Sequence, residues 1–219
     1  MVTTAQALAQ FAQDYSKACE NETGNLPQVT HDETWSSLCE AANPIDGQLI
    51  DWIITSQTMP YDFSAVESAL EITFHNDIKA FYGSFYSGSL FATFKDDKEN
   101  DIQCELLQVW NDEDIERLST NIVGHILMQK KLKQSHTVFI GCLVNSDKML
   151  CIDNETGAVV TEIPGNKDRT ELAPSLSVFL GQLMPLVNPD KELEYEAPLE
   201  IKAGLMPRLK ELMRSLFGK

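Results

Sequence analysis

Between Cys104 and Leu143 the hydrophobic positions are more densely patterned than anywhere else in the chain. CELLQVW, ending at Trp110, is nearly continuous in apolar residues, as a strand covered on both faces should be. Ile115, Leu118, Ile122 and Ile126 then recur at three- and four-residue spacing and predict one apolar helical stripe. Asn111 or Asp112 caps that helix. Asp114 stands three residues after Asn111 in the capping-box position, where it is a weaker choice than Glu. Asp112, Glu113, Asp114 and Glu116 crowd the positive end of the helix dipole, and Lys130, Lys131 and Lys133 the negative end. Ser135-His136 breaks the pattern and TVFIGCL follows as a second interior strand. This strand–helix–strand unit predicts the core.

In order along the chain, Thr3 or Thr4 caps a first helix with Leu8, Phe11, Ala12 and Tyr15 on one side. Glu20 to Gly47 is polar and punctuated by Gly24, Pro27, Asn43-Pro44 and Asp46-Gly47, which predicts a long irregular connection. LIDWIIT is a strand with Trp52 in the core. Asp62 or Ser64 opens a second helix with Val66, Ala69, Leu70 and Phe74 inward, followed by the aromatic cluster Phe81, Tyr82, Phe85 and Tyr86. SLFATF alternates as a strand, and residues 95–101 form a charged turn. KMLCID and AVVTEI flank Asn154–Gly157, whose Gly supplies the positive φ of a hairpin turn. Lys167, Asp168 and Arg169 fall in a polar loop. Pro174 sits in the first turn of a helix with Leu176, Phe179, Leu180 and Leu183 inward, and Pro185 closes it. The sum is an α+β single domain, a mostly antiparallel sheet of about six strands packed with helices.

The last segment changes character. Residues 190–200 carry five acids against Lys191, whereas 201–219 carry Lys202, Arg208, Lys210, Arg214 and Lys219 against Glu211. Pro207 opens a basic amphipathic helix lined by Leu205, Leu209, Leu212, Leu216 and Phe217. It either folds back on the acidic body or lies on an anionic membrane surface. The expected division is a domain over 1–187 and an extension over 188–219.

Composition narrows the function. At 219 residues and 43% hydrophobic the chain can bury a real core. No window approaches the run of about 20 apolar residues a membrane span needs. The N-terminus has neither the basic start nor the apolar core of a signal peptide, which predicts a cytosolic protein. Five cysteines with no C-x-x-C pair, three of them inside strand patterns, predict buried free thiols. The formal charge of -16 argues against nucleic acid and anionic lipid as partners of the main body and favours a basic partner, although acidity also serves solubility.

Chemistry-bearing motifs are missing from the sequence: no Gly-rich phosphate loop, G-x-S-x-G or H-E-x-x-H. The acids at Asp112–Glu116 have the residue types of an acid/base pair, but a helix start explains them. His125 makes a polar ridge with Asn121 and Gln129 at four-residue spacing, read as bonding a neighbouring loop rather than as catalysis or metal binding. The expectation is a non-enzymatic protein without catalytic residues, cofactor or metal.

The same residues carry a resemblance. Thr4–Leu8 with Phe11 and Tyr15, Ala65–Glu67, Phe81-Tyr82, Leu106–Gln108, Trp110, Glu113-Asp114, Asn121, Gly124-His125, Gln129-Lys130, Leu132-Lys133, Phe139-Ile140, Arg169-Thr170, Leu172-Ala173, Phe179-Leu180, Gln182-Leu183 and Pro185-Leu186 stand as in the Syd family of SecY-interacting proteins. The sequence closely resembles that family over about 4–187. Residues 20–47 do not align clearly, and the chain runs some thirty residues past the usual end near Leu186. Syd proteins belong to the SUKH superfamily, whose α+β fold matches the one expected here. The resemblance implies a peripheral protein at the cytoplasmic face of the inner membrane. It would bind the SecY translocase subunit and sequester or restrain improperly assembled SecY through an electronegative concave surface. Cytoplasmic loops of membrane proteins are rich in Lys and Arg, so an acidic body is steered toward them. Asp112, Glu113, Asp114 and Glu116, with an exposed edge of Trp110, are the candidate SecY-binding residues, and the basic C-terminal helix is a candidate membrane aid. The alternative is a SUKH-type immunity protein neutralising a cognate toxin.

Overall fold

The central strand–helix–strand unit is the spine of the molecule. A computed structural model describes residues 2–41 and 44–189. Within it β6 (Asp101–Leu106) and β7 (Thr137–Leu143) lie side by side and antiparallel, joined by the 21-residue helix α4 (Asp112–Leu132). The register pairs Cys104 with Leu143, Glu105 with Cys142 and Leu106 with Gly141. At Gly141 a Cβ would lie 2.1 Å from the Glu105 carbonyl oxygen, so only glycine lets the two backbones approach this closely. The β7–β8 register shifts between Phe139 and Gly141, next to the same contact.

Around this pair a seven-stranded antiparallel sheet is laid out in the order β10-β9-β8-β7-β6-β5-β11. Its other members are β5 (Leu90–Lys95), β8 (Met149–Asp153), β9 (Val159–Glu162), β10 (Arg169–Ala173) and β11 (Met184–Pro185). β5 alternates buried and half-buried positions, as SLFATF predicts. β8 and β9 form the expected hairpin: Gly157 has φ 78°, its N–H donates to the Asp153 carbonyl at 2.9 Å, and Asp153 Oδ1 accepts from the amides of Glu155 and Thr156. Seven strands stand where about six were expected. Arg169 opens an edge strand rather than lying in a loop. Pro185 belongs to the opposite edge strand, the position in a sheet that tolerates proline.

The remaining elements are α1 (Thr4–Thr23), β1 (Gln28–Thr30), β2 (Leu49–Asp51), β3 (Thr55–Ser56), α2 (Ser64–Leu70), α3 (Asn76–Gly83), β4 (Phe85–Tyr86) and α5 (Leu176–Leu180). Thr3 and Gln6 form a reciprocal capping box at α1, and Leu8, Phe11, Ala12 and Tyr15 are buried as predicted. α1 packs on α3, α5, β5 and β11, while α4 packs on α2 and β7. The expected second helix is two helices. Glu71 ends α2 in the left-handed conformation (φ 54°), and His75 Nδ1 accepts from the Asp77 N–H at 3.2 Å to start α3. Phe74 is buried, but between the two helices rather than on one. The 20–47 stretch is less irregular than expected, because β1 pairs with β2 as a small ribbon. All five cysteines are free thiols. The basic C-terminal helix and the Asn43 half of the Asn43-Pro44 turn lie outside the described residues.

Candidate functional site

The start of α4 is locked to a segment more than seventy residues earlier in the chain. Asn111 caps the helix by accepting from the Asp114 N–H at 2.8 Å, and its side-chain amide donates to the Ser36 carbonyl at 2.9 Å. Asp114 reaches back one residue further than a capping box, accepting from the Trp110 N–H at 3.0 Å. The Trp110 indole N–H donates to the Trp35 carbonyl at 3.0 Å, and the Ser37 hydroxyl donates to the Trp110 carbonyl. Arg117, one turn into α4, places its guanidinium 4.8 Å over the Trp35 ring. Residues 35–37 are thereby stitched onto 110–111.

Three clefts flank this seam. One of about 490 Å³ is lined by Asp32, Trp35, Glu40, Gln108, Trp110 and Asp114, among others. It shares Val29, Gly88 and Ser89 with a cleft of about 510 Å³ that Tyr15, Trp52, Phe91 and Glu105 line and that Val187–Pro189 border. A smaller one of about 230 Å³ lies between Ser36–Leu38, Tyr86 and Trp110–Asp112. Among the described residues, Asp32, Glu40, Glu105, Asp112 and Asp114 line these clefts, and no lysine, arginine or histidine does. The chemistry on offer is attraction of a cation and aromatic packing.

Several of the carboxylates are held in place. Asp32 accepts from the Thr34 amide at 2.8 Å and hydroxyl at 2.7 Å, and these bonds hold its carboxyl below the usual range. Glu40 lies 3.0 Å from His31 Nδ1, and both side chains are buried. The Tyr86 hydroxyl donates to Asp112, and burial, with that acidic acceptor, pushes its pKa up to about 12. Gln108 is different. It is only partly buried as a residue, yet both polar atoms of its carboxamide are shut off from solvent and have no hydrogen-bond partner among the described residues.

The structure spreads the sequence-predicted residues over unequal positions. Glu113 and Glu116 are exposed on α4, Asp112 is exposed beside the small cleft, and Asp114 lines the cleft of about 490 Å³ while holding Trp110. Trp110 offers much less than an exposed edge: it is 9% exposed, its ring meets Trp52 edge-on and its N–H is spent on Trp35. Sequence reasoning missed the opposite wall, Asp32, Trp35 and Glu40, because no local period marks it and its contacts span some seventy residues of chain.

The His125 ridge belongs to another site. His125 Nε2, Cys151 and Glu162 offer donor atoms within 4.8 Å of one another, all buried, a set with the atom types of a metal centre. Their neighbours engage them already. Gln129 Nε2 lies 2.8 Å from His125 Nε2 and 2.6 Å from Thr137 Oγ1, while its carbonyl accepts from the Thr137 N–H at 3.0 Å. Arg169 Nε stands 2.7 Å from Glu162 Oε2, an ion pair without hydrogen-bond alignment. Burial pushes the Glu162 carboxyl up, but His125, Arg169 and Thr137 outweigh it and hold the group below the usual range. Burial drives the Cys151 thiol well up, so it stays protonated. The cluster ties α4 to β7, β8 and β9. Asn121, expected in the ridge, is exposed instead.

Comparison with known proteins finds relatives along the whole chain. The profile of a family described as Syd protein (SUKH-2) matches residues 5–185. Protein Syd of Shewanella frigidimarina is 37% identical over 223 residues, and Protein Syd of Shewanella halifaxensis 38% over 219, each alignment covering 100% of both chains. The family profile stops near the end of β11, whereas these relatives align through the C-terminal segment as well.

Proposed function

The chain belongs to the Syd family, and on that premise we propose that it is a non-enzymatic binding protein for the basic cytoplasmic loops of SecY. It works at the cytoplasmic face of the inner membrane, as a peripheral protein that sequesters or restrains improperly assembled SecY. One observation carries the reading. Acidic side chains from two distant segments, Asp32 and Glu40 from one and Asp114 from the other, meet across a tryptophan-lined cleft that no described cation lines, and Asp112 lines a second one beside it. On a body of formal charge -16 such a surface attracts lysine- and arginine-rich loops over a distance and then holds their aliphatic stems on the rings. Asp112, Glu113, Asp114 and Glu116 form one bank of that surface, with the rim of Trp110 between them and the cleft. No helix among the described residues is long and apolar enough to cross a membrane, and the proposed attachment to it is through SecY.

The test is binding to SecY complexes in neutral-lipid nanodiscs across a salt series, with empty and acidic-lipid discs as controls. Binding should require SecY and weaken steeply as salt screens the surface. The double reversal Glu113→Lys/Glu116→Lys changes only exposed side chains and should weaken affinity by about tenfold at low salt. Equal affinity of the reversed protein at every salt concentration would remove α4 from the surface. Binding to acidic discs without SecY would transfer the role to the basic C-terminal segment, and no binding at all would favour the toxin-immunity reading.

A further inference from the structure

We propose that the cleft bordered by Val187–Pro189 is a docking groove for this chain's own basic C-terminal segment, residues 201–219, which thereby competes with a basic partner. The docking stands on the cleft and the sequence, while the competition rests on the SecY reading above.

The described chain delivers its last residues to that groove. β11 runs along β5 from Thr93 towards Leu90: Met184 pairs with Thr93, Pro185 with Ala92, and the Leu186 N–H donates to the Phe91 carbonyl at 3.0 Å. Val187 packs on the core, and Val187–Pro189 then border the cleft of about 510 Å³. Its other walls are largely apolar. Leu26, Val29 and Phe91 are half-buried there beside Tyr15 and Trp52, with Glu105 as a carboxylate among them. Half-buried apolar side chains along a concave wall are what an amphipathic helix covers when it lies in a groove. Through Val29, Gly88 and Ser89 this groove adjoins the cleft of Asp32 and Asp114.

The thirty residues after Pro189 contain one stretch of matching chemistry. Residues 190–200 carry five acids against one lysine, and 201–219 carry five basic residues against one acid. The two halves cancel, so the formal charge of -16 belongs to residues 1–189. That body repels the acidic half, which serves as the tether. Its eleven residues span up to about 36 Å, enough to turn back over a groove at whose rim it starts. The body attracts the basic half. There Leu209, Leu212 and Leu216 fall on one side of a helix by their spacing, with Arg208 beside them. A helix from Pro207 to Lys219 is thirteen residues long, marginal in water by itself, and needs a surface for that stripe. A short tether holds it at an effective concentration on the order of 1 mM, so contacts too weak to join separate molecules keep the groove filled.

The test uses the full chain in lipid-free buffer and reads hydrogen exchange and melting temperature. Leu209→Ser/Leu212→Ser breaks the stripe without altering charge, and Ser89→Lys puts a cation where the two clefts adjoin. Gln28→Lys, at an exposed residue of the groove wall, carries the second arm if Ser89→Lys does not fold. Amides at 208–216 should exchange about tenfold more slowly in the native chain than in either variant, the protection expected of weak docking under a tether. Amides at 26–30 and 88–91 should be slowed with them. Equal exchange at 208–216 in the native chain and the stripe variant would overturn the docking. Protection that survives both Ser89→Lys and Gln28→Lys would overturn the groove as its place. Protection that appears only with phosphatidylglycerol vesicles would overturn the proposal in favour of lipid. In neutral-lipid discs the stripe variant should bind SecY about tenfold more tightly, since it lacks the tethered competitor. Unchanged SecY affinity would overturn the competition, whereas absence of SecY binding in every variant, with the protection in place, sinks the SecY reading alone.

Discussion

Glu162 shows how much can depend on one buried carboxylate. Its folded pKa is held below the ordinary range, so it contributes stability above that range and loses it as pH falls through the folded value. Glu162→Gln leaves Arg169 without its closest anion and should cost about 3 kcal/mol at neutral pH. Thermal melts from pH 7 to pH 3 should show the gap to the native protein narrowing as the native carboxyl takes up a proton. A constant gap would mean that the charge is not what matters. The four-residue spacing of His125 and Gln129 was legible in the sequence, but their partners were not. Thr137, Cys151 and Glu162 reach the ridge from three strands, and only the sheet register brings them there. The cap at Asn111 was legible because it is made within three residues. Its second bond, to Ser36, was not.

Among elements, those with a full period and a local cap could be read, as α4, β5 and the β8–β9 hairpin were. The break between α2 and α3 escaped because it is made by Glu71 in a left-handed conformation and by a histidine cap, neither a common signal. The edge strands β10 and β11 escaped because strands this short and half-exposed show little alternation. α4 offers the element-level test. Asn111→Ala removes both its cap and its bond to Ser36, and should cost about 2 kcal/mol, the upper end for a lost cap. Hydrogen exchange in the variant should rise at the first turn of α4 and at 35–37 together. Exchange confined to α4 would show that the two segments are not coupled.

For the whole molecule, the α+β class and the acidic character were legible from composition and element order, while the cleft between residues 29–40 and the start of α4 was not, since one of its walls comes from the stretch that seemed irregular. The described core closes without the C-terminal segment: β11 ends at Pro185, Val187 packs against the core, and Val187–Pro189 border the larger cleft. The folded unit is therefore proposed to end at 187, with 188–219 an extension. A chain truncated after Pro189 should melt within about 2 °C of the full one, since for this size 1 kcal/mol shifts the midpoint by roughly 2–4 °C. A larger drop would place part of the extension in the fold. If the basic segment covers the acidic surface, the truncated chain should also bind SecY discs more tightly, and weaker binding would instead assign that segment to the lipid.

The packing of α1 against α5 and β11 also sets an order of events at the ribosome. The first helix to be made waits for two of its partners until residues 176–185 have been synthesised, at the far end of the domain. Until then the buried face of α1 lacks part of its cover, and the edge of β5 that β11 will occupy is open to strangers. A newborn chain thus stays exposed to chaperones and to aggregation until late in its translation, and a nonsense codon before residue 176 should yield a product that the cell degrades.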